Sequence, residues 1–161
     1  MNNFYTFSYI NSPIGIIFIK STPAGVCQID IGYNLNKDIS IVCTKDSPVS
    51  IQLMEYFQGI RKNFNIKVDI KGTPFQMKVW KALSSIPYGS TKTYKDIAIE
   101  IGSPKGYRAV AQACSKNPVP IIIPCHRVVG SNGRLGGYSG GGGIKSKTYL
   151  LTLEKSGGQI V

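Results

Sequence analysis

The sequence predicts an α+β protein in two parts. A small N-terminal antiparallel-sheet domain with one helix spans residues 1–70, and a mainly helical C-terminal domain spans residues 71–161. Three observations carry this. Short β-rich runs separated by turn residues fill the first 33 positions. A capping sequence, Thr73-Pro74-Phe75-Gln76, then opens a helical pattern. Two short helical patterns follow, split by a glycine-containing turn, which is the outline of a helix-turn-helix.

In order, Phe4 to Ile10, Ile14 to Lys20 and Val26 to Ile31 read as strands, with turns at Asn11-Ser12-Pro13 and Ser21 to Gly25, giving an antiparallel meander. Ser47 to Gly59 carries Val49, Ile51, Leu53, Met54, Tyr56 and Phe57 at mostly helical spacing and ends in glycine, as a helix should. A short strand, Phe64 to Ile70, is expected to close this part.

In the second part Thr73 caps, Pro74 takes the first helical position and Gln76 completes the capping box. Phe75, Val79, Leu83 and Ile86, with Trp80 alongside, form one apolar stripe, and Pro87-Tyr88-Gly89 stops the helix. Thr93 caps a short helix, Tyr94 to Ile101, with Asp96 at its third position. Ser103-Pro104 is expected to start the next helix, running to about Lys116 before Asn117-Pro118. The outline alone also fits a plain helical hairpin. The alanines around Arg108 in Tyr107-Arg108-Ala109-Val110-Ala111 suit either helix packing or close approach to a groove with one long cation leading.

Charge separates the two parts. The chain has 161 residues and a net charge of +11 from 19 basic and 8 acidic residues. Residues 1–70 hold six basic against five acidic side chains, and residues 71–161 hold thirteen against three. The excess in the second part points to a polyanionic partner, nucleic acid before a membrane surface, because no helical pattern sets lysines opposite an apolar face. No run approaches the roughly 18 apolar residues of a spanning helix, and the N-terminus lacks a secretory signal pattern, so a cytoplasmic protein is expected. The cysteines, Cys27, Cys43, Cys114 and Cys125, form no CxxC pair, and His126 is the only histidine. No metal site is expected from this set. Cys27 and Cys43 read as small buried apolar residues.

Chemistry concentrates in Asn117-Pro118-Val119-Pro120-Ile121-Ile122-Ile123-Pro124-Cys125-His126-Arg127-Val128, an apolar segment ending in a cysteine beside the sole histidine and an arginine. A thiolate is the nucleophile, and a neighbouring base or cation makes it available near neutral pH. The glycines at 136, 137 and 140–143 do not form a phosphate loop, since Ile144 separates the run from Lys145.

The chain resembles the O6-alkylguanine-DNA alkyltransferases, or methylated-DNA–protein-cysteine methyltransferases. The matching stretches are Gly72 to Gln76, Ile86 to Gly89, Thr93-Tyr94, Arg108 to Val110, Asn117 to Pro120, Ile123 to Val128, Gly137 to Gly140 and Leu150 to Glu154. They occur in family order, and Pro-Cys-His-Arg-Val is the most specific. The N-terminal part matches loosely, through Ser12 to Gly15.

The resemblance implies that Cys125 takes the alkyl group from O6 of a damaged guanine, or O4 of thymine, once and irreversibly, without a cofactor. His126 would be the base acting through a water, with Glu154 orienting it and Asn117 holding the turn before the reactive loop. Tyr94 would crowd the nucleotide backbone and give a proton to the leaving base. Arg108 would fill the space of the extruded base from the minor groove of double-stranded DNA. Thr93, Lys95, Ala109 and Ser131 would lie with Tyr94 and Arg108 at the DNA, while Val128, Tyr138, Ser139 and Cys114 would line the base pocket. A monomer is expected. An alkyltransferase-like damage-binding protein would lack the reactive cysteine, which is present here. A cysteine hydrolase would draw its base from a second histidine, which is absent.

Overall fold

Three strands, β1 (Thr6–Ser12), β2 (Gly15–Thr22) and β3 (Gly25–Ile31), form an antiparallel meander in the computed structural model, which describes residues 4–37, 43–44 and 46–159. Alternation puts Ile10, Ile17, Ile19, Ile29 and Ile31 on the inner face, where all are buried. The first hairpin is tighter than the sequence suggests. Ser12 pairs with Gly15, so only Pro13 and Ile14 connect the strands, and Gly15 takes the left-handed conformation that closes the turn. A fourth strand, β4 (Cys43–Thr44), lies parallel to β1 and gives the order β3-β2-β1-β4. Its two residues carry no pattern that would reveal it.

The strand expected over Phe64 to Ile70 does not form. Only Val68 bridges Val26, through Val26 N to Lys67 O (2.9 Å) and Asp69 N to Val26 O (2.8 Å). The free edge of β3 is already occupied further along. Ile29 N donates to Pro118 O (2.8 Å), and Gly141 N donates to Ile31 O (3.1 Å). The sheet edge thus anchors both the loop before Cys125 and the glycine loop after Tyr138.

Helix α1 (Pro48–Phe57) begins at a Ser47 capping box and buries Val49, Leu53 and Tyr56, spaced as one helical face. Helix α2 (Pro74–Ser84) has the predicted Thr73/Gln76 capping box and buries Val79, Trp80 and Leu83. A two-residue strand, β5 (Lys92–Thr93), leads into α3 (Tyr94–Glu100), capped by Thr93 and Asp96 as predicted. Helix α4 (Tyr107–Ser115) starts later than Ser103-Pro104 implies. Residues 103–106 make a turn closed by Gly106 N to Ser103 O (2.8 Å), and Gly106 caps α4 with no side-chain bond. α4 packs against α2 and α3, and Trp80 Nε1 donates to Ala113 O (2.9 Å). A short strand, β6 (Val128–Val129), pairs in parallel with β5, and α5 (Ile144–Lys155) completes the chain. One hydrophobic cluster runs from the sheet through α1 to the C-terminal helices.

Candidate active site

The segment before the cysteine is held by side-chain to backbone bonds rather than regular structure. Asn117 Nδ2 donates to Ile123 O (2.8 Å), and Asn117 Oδ1 accepts from Val119 N (3.0 Å), closing the loop onto itself. Ile121 is forced to a φ of 74°, which is strained for a β-branched residue. Cys125 then begins a buried single 3-10 turn, Cys125–Arg127, and Val128 returns the chain to β5.

Behind Cys125 lies a buried ionic cluster centred on Glu154 of α5. Its Oε1 accepts from His126 Nε2 (2.7 Å), Tyr56 Oη (2.7 Å) and Arg127 Nη2 (2.9 Å). Its Oε2 accepts from Arg127 Nε (2.9 Å) and Gly89 N (3.2 Å). Arg127 Nη1 also donates to Ile86 O (2.6 Å). Burial alone would raise the Glu154 pKa, but the bonds from His126 and Arg127 overcome it and hold the carboxyl at about 2. Glu154 is therefore an acceptor at neutral pH, which fixes His126 with its proton on Nε2. His126 Nδ1 is left buried with no protein partner. Burial also pushes the His126 pKa down, outweighing the pull of Glu154, so the imidazole is neutral. Burial raises the Cys125 thiol, opposed by Asn117 and Lys147. The resting sulfur is a thiol with a neutral base beside it in sequence.

In front of Cys125 is a cavity of about 270 Å³ lined by Tyr94, Ala111, Cys114, Ser115, Cys125 and the Gly137–Ser139 wall. That is close to the lower end of small-ligand pockets, about 300 Å³. One of its groups lacks a partner, and a second, Tyr94, has only Lys147 Nζ at 3.5 Å. Tyr138 Oη is buried without a partner, which costs free energy until something bonds to it. Tyr94, its phenol pushed up to about 12 mainly by burial, keeps its proton at neutral pH.

The structure brings together most of the residues singled out in the sequence. Cys125, Tyr94, Cys114, Tyr138 and Ser139 share the cavity; His126, Glu154 and Asn117 stand behind it. Val128 lies outside the lining: its side chain is buried and its carbonyl faces Lys147. Ser131 is exposed in the turn closed by Gly133 N to Gly130 O (2.9 Å) and is not among the residues lining the cavity. Arg108 and Ala109 are exposed on α4, and Lys95 is exposed on α3, on either side of the cavity residues Tyr94 and Ala111. Thr93 spends its hydroxyl on capping Asp96 N (3.0 Å). Cys27 and Cys43 are half-buried rather than buried, and Cys27 Sγ donates to Lys20 O (3.4 Å).

Three residues escaped sequence reasoning. Arg127 neutralises Glu154. Tyr56 reaches it from α1. Lys147 of α5 is buried, donates to Val128 O (2.7 Å) and lies within electrostatic reach of both Cys125 and Cys114. A lysine on the inner face of an apolar helix was the available signal for the last.

Residues 74–156 match the family described as 6-O-methylguanine DNA methyltransferase, DNA binding domain. A methylated-DNA–protein-cysteine methyltransferase of Methanosarcina barkeri is 44% identical over 156 residues, covering 93% of this chain and 97% of that protein. The chain belongs to the methylated-DNA–protein-cysteine methyltransferase family. The inducible member of Bacillus subtilis is 42% identical, covering 95% of this chain and 84% of its own. The crystal structure of Mycobacterium tuberculosis OGT in complex with DNA superposes with a TM-score of 0.84 at 40% identity, covering 94% of both chains. The α+β architecture, DNA binding and methyl transfer from DNA to a protein cysteine follow from this membership. Among the described residues no cluster of three His, Cys, Asp or Glu is arranged to hold a metal ion, and no helix is long and apolar enough to cross a membrane.

Proposed function

We propose that the chain repairs O6-alkylguanine, and O4-alkylthymine, in double-stranded DNA by moving the alkyl group to Cys125 once per molecule. The observation that carries this is a cysteine at the wall of a base-sized cavity, backed by a neutral histidine whose Nδ1 is unpartnered and whose Nε2–H is locked on Glu154. His126 takes the Cys125 proton by way of a water, and the thiolate attacks the alkyl carbon. The S–C bond forms, the C–O bond breaks, and the electron pair passes into the purine. Tyr94 supplies a proton to the leaving base and is reprotonated at the expense of the proton that His126 took, so the net proton movement is from thiol to guanine. The thioether has no route back.

Cys125 is buried in the cavity wall and cannot reach an atom inside a base stack, so the nucleotide is extruded and Arg108 enters the duplex from the minor groove in its place. Support for this approach comes from α4, where Tyr107, Arg108 and Gln112, with Lys116 at the C-cap, are exposed, and no acidic residue occurs in the sequence between Glu100 and Glu154. Tyr138, Ser139 and Cys114 line the base pocket, and Thr93, Lys95 and Ala109 flank the DNA. The C-terminal part, residues 71–161, carries the transfer chemistry, and the protein acts as a monomer.

The test is intact-protein and peptide mass spectrometry after incubation with a duplex containing O6-methylguanine. One methyl on the Cys125 peptide, absent in Cys125→Ala, is the expected result. Lesion binding by the reduced, folded protein with no mass gain would overturn transfer and favour damage sensing without chemistry.

A further inference from the structure

We infer that Tyr56, from the N-terminal helix α1, is a positioning residue for alkyl transfer: its hydroxyl, bonded to the same Glu154 oxygen that holds His126, sets how strongly that carboxylate pulls on the imidazole. The geometry is specific. Tyr56 and His126 both donate to Glu154 Oε1 at 2.7 Å although Tyr56 lies 98 residues before Glu154 in the chain. Tyr56 has no solvent exposure, and its ring is wedged edge-on against Phe57 and Tyr88, with centroids at 5.4 and 6.1 Å, and tilted against Phe64. The hydroxyl has no room to swing away.

A second feature fixes the helix that carries it. Just beyond α1, Gly59 lies backbone to backbone against Gly158, just beyond α5. A Cβ on Gly59 would sit 2.5 Å from Gly158 O, and one on Gly158 would collide with Gly59 Cα. Both glycines have positive φ. The ends of α1 and α5 are thus locked together within one helical turn of Tyr56 and Glu154. Tyr56 thereby brings the N-terminal part to the ionic cluster.

The physical consequence concerns charge. A neutral O–H donor draws electron density from Oε1 without adding a positive charge, so it weakens the carboxylate's preference for imidazolium over imidazole. Weakening it keeps the Nδ1 lone pair of His126 free for a proton. The groups acting on His126 are Glu154 and Lys147 from α5, Arg127 from its own turn, and, through Glu154, Tyr56 from α1 and Tyr88 from the loop after α2, with Cys125 its neighbour in sequence. Arg127 supplies the neutralising cation, and Tyr56 supplies the remaining adjustment.

The inference rests on the proposed role of His126 as base, yet its test reads the ring itself. His126 is the only histidine in the chain, so in untagged, 15N-histidine-labelled protein a single imidazole reports. Tyr56→Phe removes only the hydroxyl. It is expected to raise the His126 pKa by roughly half a unit to one unit, the scale of one bond to a charged acceptor shared between two protonation states. The acid limb of the single-turnover transfer rate should move up with it. Introducing 3-fluorotyrosine at position 56, a stronger donor of nearly the same shape, should move both the other way. A His126 titration unchanged in both folded variants, or displaced in the same direction by both, overturns the inference. If the ring responds as expected but no alkyl group reaches Cys125, the proposed function fails and the Tyr56 coupling stands.

Discussion

Replacing Glu154 with glutamine keeps the shape of the side chain and removes its charge. The carboxylate is buried and receives five hydrogen bonds, three of them from His126 and Arg127. Its pKa of about 2 in the folded protein compares with an ordinary 4.5. At about 1.4 kcal/mol per pH unit, that difference represents about 3 kcal/mol of stability. The sign follows from the depression: the contribution is complete above pH 4.5 and is lost as pH falls toward 2. An amide has one acceptor oxygen where the carboxylate has two, and it leaves the Arg127 cation buried without a counter-charge, which costs about 3–5 kcal/mol. The two routes agree. Urea denaturation at pH 7 should show Glu154→Gln less stable by about 3–5 kcal/mol, and the gap should narrow by about 1 kcal/mol at pH 4, where Glu154 of the unfolded wild-type chain takes up protons while the folded carboxylate stays ionised. A gap below about 1 kcal/mol at pH 7, or one of equal size at both pH values, would refute a cluster stabilised by charge rather than by packing.

Other consequences can be checked separately. Arg108 is exposed, so Arg108→Ala should change stability by less than about 0.5 kcal/mol, yet slow transfer from duplex DNA by roughly tenfold, a modest share of the few kcal/mol that base extrusion costs. Transfer from the free base O6-methylguanine should not slow; equal slowing of both would remove the wedge role. The Cys114 thiol is pushed up to about 12, chiefly by burial, and, unlike Cys125, it has no histidine beside it in the sequence, so peptide mapping at pH 7 should find alkyl on Cys125 and none on Cys114. Gly141 lies against the Ile31 carbonyl, where a Cβ cannot fit. Gly141→Ala should therefore loosen the glycine loop from β3, destabilise the fold by about 1–3 kcal/mol and slow transfer, seen as a lower melting temperature and a lower rate. Affinity for DNA should fall linearly in a plot of log K against log salt, with a slope near −0.9 per phosphate neutralised; a flat plot would show that the excess lysines do not contact DNA.

What the sequence reveals follows the range of the interactions involved. The helix starts at Thr73 and Thr93 are legible because a capping box is complete within four residues, and both appear as predicted. The start of α4 is misread because Ser103-Pro104 offers the same local chemistry, but Ser103 O accepts from Gly106 N and the chain turns before it coils. The strand at 64–70 is lost for a non-local reason. Its β-rich composition is real, but the edge it would pair with is taken by Pro118 and Gly141, residues some fifty to seventy positions further on. Strand β4 and the β5–β6 pair are two residues long, too short for any periodicity to register.

The site divides along the same line. Cys125, His126 and Arg127 are contiguous, so their motif is visible even though the role of Arg127 is not. Its guanidinium joins Glu154 from α5 to the Ile86 carbonyl at the end of α2, a junction that exists only after three distant segments meet. Lys147 and Tyr56 are harder still, because each reads locally as an ordinary helix residue. Their meaning comes from burial: a lysine with almost no exposed surface must spend its charge on something, here the Val128 carbonyl and the Tyr94 hydroxyl. A buried tyrosine must likewise place its hydroxyl, here on Glu154. In both cases the buried polar group has its partner at the ionic cluster or the cavity. The N-terminal part therefore reaches the ionic cluster behind Cys125, through Tyr56, even though the Pro-Cys-His-Arg-Val motif lies wholly in the C-terminal part.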